Sequence, residues 1–372
     1  MKILVFNWQD VRNPLGGGAE VHLHEIFKRI ASQGHHVTLL SCSFSGAPNE
    51  ETIDGIRVIR SGSRNLFNLS IPRLYRSRFR HEKFDVVVDD INKIPFYTPL
   101  FVREPLVGIV HHLFGTSIFR ETSLPGALYV AVAEALLPSV YRKTPMAVVS
   151  ESTRRELVSK GFEEKNISIV RNAVDSGLYR VLDADPKKLN VGHLGRLKKY
   201  KSVEHLLQAF SIVRMEMPGV TLTIVGEGDY RPALERKARD LKIDSAVKFV
   251  GQVDPEEKVR LLNRMTVGVN CSVKEGWGLT VIEANACGVP VVASDVPGLR
   301  DAVLDEKTGL LYEYGDIEQL AEKILLVLRD QQFRKRLSTE ALRWARTFTW
   351  QDSAGKMLSV LEGAIEARKQ LG

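Results

Sequence analysis

The sequence predicts an α/β protein built from two doubly wound, Rossmann-like parallel-sheet domains facing each other across a cleft. Three observations carry that prediction. The chain has 372 residues, and roughly 100–200 residues per domain makes two or three packed units. Short Val/Ile/Leu runs alternate with helical patterns from end to end, as βαβ units around a buried parallel sheet require. A polar, Asp-rich, non-periodic segment, Arg171 to Pro186, parts the alternation into two series and reads as a linker. The expected domains are residues 1–171 with 352–372, and residues 172–351.

In the first series the expected strands are Ile3–Phe6, Val37–Ser41, Ile56–Arg60, Asp85–Val88, Leu106–Val110, Ala147–Ser150 and Ile167–Val170. In the second they are Leu189–Leu194, Thr221–Val225, Val247–Val250, Val267–Asn270 and Pro290–Ala293. Apolar residues at Leu23, Ile26, Phe27 and Ile30, and again at Val203, Leu206, Leu207, Phe210 and Val213, have the 3.6-residue period of helices packed on a sheet. After Trp350 the pattern is helical, with Met357, Val360, Leu361 and Ile365 on one side, and this last helix is expected to cross back onto the first domain.

Composition bounds the functional classes. Apolar residues make up 44% of the chain and charged residues 26%, enough hydrophobic material for full cores, which excludes general disorder. A net charge of +7 favours acidic ligands, nucleic acid or an anionic membrane surface, without choosing among them. Three cysteines, Cys42, Cys271 and Cys287, have no spacing that suggests a metal knuckle or disulfide framework, so a reducing, cytoplasmic setting is expected. The N-terminal MKILVFNW lacks the apolar core and cleavage site of a signal peptide. The apolar-rich stretch from Leu124 to Val140 reads as broken by Pro125, Gly126, Glu134 and Pro138.

Ligands of doubly wound sheets bind beyond the carboxyl ends of the strands, so the loops after strands direct the search. The first such loop, Asn13 to Glu20, holds Gly16, Gly17 and Gly18 ahead of a helix. It is either an anion cradle of accessible N–H groups or a flexible connection. Gly195, Arg196 and Lys201 follow the first strand of the second half; two cations flanking a helix start suit a diphosphate, against a solvated basic loop as the bland reading.

Glu275 and Glu283 bracket the turn Gly276-Trp277-Gly278-Leu279-Thr280, where a helix beginning near Gly278 or Leu279 would aim free N–H groups at a phosphate. Gly226 and Gly228 either admit a base or ribose or form an ordinary turn. His111 ends a strand at the expected cleft edge, while Asp89 and Asp90 end another without a third metal ligand nearby in sequence, which argues against a metal. From Arg60 to Arg80 six arginines, Arg60, Arg64, Arg73, Arg76, Arg78 and Arg80, stand among apolar residues without one Asp or Glu. That is either a surface for anionic lipid or a core helix with a basic outer face.

Together these residues resemble the retaining nucleotide-sugar glycosyltransferases of family 4, which have the GT-B fold. The most specific element is the pair Glu275 and Glu283 with seven residues between them, the family's EX7E motif; the GRLxxxK segment holding Arg196 and Lys201 is the second. The resemblance implies that Arg196 and Lys201 hold the donor diphosphate, Glu283 the ribose and Glu275 the donor sugar, while Gly195, Gly278, Leu279 and Thr280 approach the phosphates. It implies that His111 contacts the donor sugar, that Gly17 and Gly18 line the acceptor side and phosphate edge, and that Gly226, Gly228 and Val253 form the base pocket. No cofactor or metal is implied, and a UDP-sugar is favoured over a GDP-sugar as donor. One departure is Ala173, where the family usually has glycine after the asparagine, here Asn172.

The implied reaction is retaining, metal-independent transfer of a sugar to a lipid-linked or cell-surface glycan acceptor, in polysaccharide biosynthesis. The enzyme is expected in the cytoplasm, in peripheral contact with an anionic membrane. Breaking the bond to a nucleoside diphosphate builds negative charge on phosphate, which cations and a helix N-terminus stabilise. Two alternatives compete: a dinucleotide-dependent oxidoreductase, disfavoured because no GxGxxG closes the first βα turn, and a non-catalytic nucleotide-sugar binder. No zinc, recognition-helix or RNP pattern supports nucleic acid as a partner.

Overall fold

The computed structural model describes residues 1–371 except 65–66, 80, 93, 121 and 183–187. Leu66, Arg80, the 183–186 end of the expected linker and Gly372 therefore lie outside the described residues. The chain divides into two units, Met1–Asn172 with Trp350–Gly372, and Ala173–Thr349. The boundaries fall a residue or two from the expected 171/172 and 351/352. At the second, the helix of the first unit already begins at Trp350, whose ring lies 6.1 Å from that of His22.

The first unit holds strands β1 (Lys2–Phe6), β2 (His36–Ser41), β3 (Glu50–Ile53), β4 (Ile56–Arg60), β5 (Val86–Ile91), β6 (Leu106–Val110), β7 (Met146–Val148) and β8 (Ile167–Ile169), in the order β3-β4-β2-β1-β5-β6-β7-β8. Its helices are α1 (Gly18–Ser32), α2 (Phe67–Leu74), which continues as a π-helical turn Tyr75–Phe79, α3 (Leu124–Tyr141) and α4 (Glu151–Ser159). Ile3, Leu4, Val5 and Phe6 are wholly buried, as a strand covered by helices on both faces requires. Among the described residues, only β3 runs antiparallel to its neighbour, β4.

The second unit holds β9 (Asn190–Leu194), β10 (Thr221–Val225), β11 (Val247–Gly251), β12 (Val267–Asn270), β13 (Val291–Ser294) and β14 (Gly309–Tyr312), all parallel, in the order β11-β10-β9-β12-β13-β14. Around them lie α5 (Val203–Glu216), α6 (Arg231–Asp240), α7 (Pro255–Asn263), α8 (Leu279–Ala286), α9 (Leu299–Ala302), α10 (Ile317–Arg329) and α11 (Gln331–Ala345). Helix α12 (Trp350–Leu371) returns to the first unit, where it packs on α1 and Ser353 Oγ donates to the Arg171 carbonyl at 2.7 Å. Two doubly wound α/β units are thus present, as the sequence predicts.

Four expectations are corrected. The strands β3 and β14 are absent from the sequence reading: β3 is a sheet edge with one paired side, so Glu50-Glu51-Thr52-Ile53 needs no continuous apolar run, whereas β14 is the short apolar run Gly309-Leu310-Leu311-Tyr312. Asp89 and Asp90 lie inside β5, since the strand reaches Ile91 rather than Val88. The stretch from Leu124 is one helix: Pro125 sits in the first turn, where its missing N–H costs nothing, and Pro138 is accommodated near the other end. This helix, α3, is long and apolar enough by length and composition to cross a membrane.

The fourth concerns the basic stretch. Arg60 closes β4 with its side chain 1% exposed, donating to both oxygens of the equally buried Asp10 at 2.7 and 2.8 Å and to Glu51 at 2.6 Å. Arg78 pairs with Glu50 at 2.7 Å. The stretch contains no carboxylates of its own, but two of its arginines find theirs elsewhere in the fold.

Candidate active site

In a doubly wound sheet the loops diverge where the strand order reverses, and the crevice so formed receives ligands. In the second unit that point lies between β9 and β12. The loop after β9 carries Gly195, Arg196 and Lys201; the loop after β12 carries Glu275 and leads to α8. Lys201 Nζ forms an ion pair with Glu275 Oε1 across this point. Both side chains are largely buried, 11% and 16% exposed. Burial works against the Lys201 charge, but the Glu275 carboxylate outweighs it and raises the ammonium pKa. Ser272 Oγ also donates to Glu275 Oε1 at 2.7 Å, and the Tyr200 ring lies 5.1 Å under Lys201 Nζ.

Arg196 behaves differently: it is exposed, and among the described residues it makes no ion pair. Lys198, in the same basic loop, is paired with Asp229 at 2.8 Å. The structure thus separates one neutralised, buried ammonium from one available guanidinium, the better group for bidentate contact with phosphate.

Helix α8 begins after Gly278, which caps it at φ 70°, a conformation that favours glycine. The first-turn N–H groups of Leu279 and Thr280 have no helical carbonyl to bond. Asn270, the buried last residue of β12, ties this turn to the Glu275 loop. Its amide donates to Thr280 Oγ1 at 3.3 Å, and its carbonyl oxygen accepts from Ser272 N at 3.1 Å.

Glu283, one turn further along α8, is buried at 6% exposure. Its Oε1 accepts from Tyr179 OH at 2.6 Å and Lys258 Nζ at 2.8 Å. Neither Tyr179 nor Lys258 was singled out in the sequence: they stand 104 and 25 residues from Glu283, and no local pattern marks them.

The glycines of the loop after β10 serve loop packing. A Cβ on Gly226 would stand 1.9 Å from the Gly195 carbonyl oxygen, and one on Gly228 2.0 Å from that of Leu197. Gly195 N donates to Val225 O at 3.0 Å, Leu197 N to Glu227 O at 2.8 Å and Gly226 N to Gly251 O at 2.9 Å, so the loops after β9, β10 and β11 are laced together. Val253, half-buried, follows in the turn before α7.

His193 was also not anticipated. It is buried beneath this site with Nδ1 3.1 Å from the Val269 carbonyl, which can only accept, so Nδ1 carries the proton. Burial pushes its pKa down to about 4, helped by the Lys201 charge.

In the first unit the order reverses between β1 and β5. Asn92, after β5, bridges the point by donating to Asn7 Oδ1 at 2.9 Å and to Glu20 Oε1 at 3.0 Å. Here the glycine loop departs from the expected cradle. Gly16 N donates to Asn13 O at 2.8 Å and Gly17 N to Glu20 Oε2 at 2.7 Å, a capping box that uses the N–H groups an anion would need. Gly18 opens α1.

His111 lies after β6, buried, with Nε2 2.9 Å from Asp90 Oδ1. Burial opposes its charged form, but Asp90 more than offsets this and raises its pKa. Asp90 is therefore an orienting carboxylate for His111, while Asp89 accepts from Thr98 Oγ1 at 2.8 Å and Tyr141 OH at 2.5 Å. The His22 ring stands edge-on to that of His111, centroids 5.0 Å apart.

Comparison with known proteins identifies the family and the fold. Residues 16–178 match the model for glycosyltransferase family 4, and residues 179–344 the model for glycosyl transferases group 1. Glycogen synthase of Mycobacterium tuberculosis is 27% identical, over 100% of this chain and 96% of its own. Among solved structures, sucrose-phosphate synthase from Thermosynechococcus elongatus superposes with a TM-score of 0.83 at 20% identity, over 98% of this chain and 99% of its own. Anabaena HepE, solved in complex with UDP-glucose, superposes with a TM-score of 0.77 at 19% identity, over 98% and 100%. The two family models follow one another along nearly the whole chain, and the protein belongs to the family 4 and group 1 glycosyltransferases of the GT-B fold.

Proposed function

We propose that this glycosyltransferase moves a sugar from a nucleoside diphosphate donor, UDP-linked in preference to GDP-linked, to a lipid-linked or cell-surface glycan acceptor. The anomeric configuration is retained and no metal or cofactor takes part. The observation that carries this reading is the Lys201–Glu275 ion pair at the strand-order reversal of the second unit, with Arg196 exposed beside it and the α8 N-terminus following. A diphosphate there would meet a guanidinium, a buried ammonium and the helix N–H groups of Leu279 and Thr280, which oppose the charge that develops as the sugar leaves. UDP-glucose in the HepE complex supports the donor class.

In the proposed step the bond between the anomeric carbon and the diphosphate oxygen breaks. The acceptor hydroxyl oxygen bonds to that carbon on the same face, and its proton passes to a donor phosphate oxygen. Arg196 and Lys201 hold the departing phosphate, Glu275 the donor-sugar hydroxyls and Glu283 the ribose, through the oxygen that Tyr179 and Lys258 do not occupy. His111, held by Asp90, contacts the donor sugar. Gly195 and Gly278 bring backbone near the phosphates; Gly226, Gly228 and Val253 border the base; Gly17 and Gly18 border the acceptor side. The reaction is placed in the cytoplasm against the anionic inner face of the membrane.

The test is a panel of nucleotide sugars read by thermal stabilisation and by release of the nucleoside diphosphate. Stabilisation and turnover with one UDP- or GDP-sugar are expected, and Lys201→Ala and Glu283→Ala should abolish transfer while the protein stays folded. Full activity in both variants sinks the residue assignment; donor binding without turnover across a broad acceptor panel establishes the binder instead.

A further inference from the structure

Helix α3 departs from the usual surface helix, which turns apolar residues inward and charges outward: it is apolar on both its buried and its exposed side. Its one charged residue, Glu134, is buried at 5% exposure, where its carboxylate accepts from Phe114 N at 2.5 Å and Gly115 N at 2.9 Å. Outside stand Leu124, Leu128, Val132 and Leu136, 71, 58, 53 and 48% exposed. A spacing of four places them in one stripe along the helix, with Tyr129 beside it, also half exposed. The opposite side, Ala127, Ala133, Leu137 and Tyr141, is buried in the first unit. A helix so anchored lies along an interface and does not cross it.

Cations border the stripe. Arg142 and Lys143 follow α3 directly, both exposed. Asn68 donates to Tyr129 OH at 2.7 Å, which brings α2, with its exposed Leu69 and Arg73, against the same flank. Among the described residues Arg73, Arg142 and Lys143 make no ion pair. That charge selects the occupant: a second copy of the chain would set the patch against itself across a two-fold axis and bring cation to cation, whereas anionic headgroups complement the rim and acyl chains the stripe.

We propose that the first unit docks on an anionic bilayer through the outer face of α3, with Leu124, Leu128, Val132 and Leu136 in the acyl boundary and Arg73, Arg142 and Lys143 on lipid phosphates. This rests on the reading of a peripheral enzyme and names its surface: of the two regions from which the contact was expected, the apolar one beginning at Leu124 supplies the docking face, and the Arg60–Arg80 stretch supplies Arg73 at its rim. Glu134 ties the docked helix to the Phe114–Gly115 loop just beyond His111, so docking positions that loop as well.

The test is co-sedimentation of the full chain with vesicles of phosphatidylcholine alone or with about one third phosphatidylglycerol, at low and moderate salt. The wild type should bind the anionic vesicles at least about tenfold better. Arg142→Gln with Lys143→Gln should weaken that binding about 25-fold, at about 1 kcal/mol or fivefold for each basic residue. Val132→Glu, on an exposed side chain that folding does not need, should abolish it, while stabilisation by UDP persists in every variant. Equal binding by Val132→Glu, or no binding by the wild type, overturns the proposal. So does a concentration-dependent dimer that Val132→Glu dissolves, which would assign the face to a second copy. Failure of UDP to stabilise the wild type would count against the donor reading alone and leave the vesicle result standing.

Discussion

Arg60→Met isolates a buried charge whose partners the fold has fixed. The guanidinium donates to Asp10 twice, at 2.7 and 2.8 Å, to the Pro48 carbonyl at 3.0 Å and to Glu51 at 2.6 Å. Methionine of similar length fills the space but leaves the Asp10 carboxylate, 1% exposed, with only Ser41 Oγ and Arg12 N to stabilise its charge. Removing one partner of a buried pair costs about 3–5 kcal/mol. For a unit of this size that lowers its melting temperature by roughly 6–20 °C, at about 2–4 °C per kcal/mol.

The pH dependence separates this cause from lost packing. In the wild type, burial raises the Asp10 pKa, but bonds to Arg60 and the Arg12 amide outweigh it, so the value lies below 3.8. The stability this contributes is complete at neutral pH and is lost only as pH falls through that low value. Without Arg60, burial dominates and the folded pKa lies above the unfolded one. The variant then gains stability as pH falls from 7 toward 5, because the folded state takes up the proton first. Differential scanning calorimetry at pH 7 and pH 5 should show the gap to wild type narrowing at pH 5. A gap that stays constant or widens, or a fall of less than about 3 °C at pH 7, refutes the reasoning.

Three further outcomes are expected. His193 stays neutral in the folded state down to about pH 4, whereas the unfolded chain protonates it near 6.5, so at pH 5 it costs about 2 kcal/mol of stability; His193→Phe should flatten the acid side of the stability curve by about that amount. Gly228→Ala forces a Cβ to within 2.0 Å of the Leu197 carbonyl oxygen, while nothing lies within 4 Å of one on Gly219; calorimetry should show about 1–3 kcal/mol lost in the first variant and almost nothing in Gly219→Ala. Tyr179→Phe removes a hydrogen bond to the buried Glu283 carboxylate, worth about 1.5–3 kcal/mol, so donor KM should rise about tenfold or more with kcat changed less; an unchanged KM removes Tyr179 from the site.

The sequence by itself determined the layering. Runs such as Ile3–Phe6 are apolar at every position because helices cover both faces of the sheet, and that requirement is local enough to read directly. It also placed Arg196, Lys201, Glu275 and Glu283 in loops and helix starts after strands, where a doubly wound fold gathers ligands. What it left undecided was partnership, because ion pairs and hydrogen bonds join residues far apart in the chain. The tertiary structure alone decided that Lys201 faces Glu275, that Tyr179 and Lys258 hold Glu283, and that Glu20 occupies the N–H of Gly17. It decided too which side of α3 is outside. Its composition is apolar almost all round, so no period marks a buried face, and the position of one carboxylate, Glu134 turned inward, reveals that the exposed face is the uncharged one.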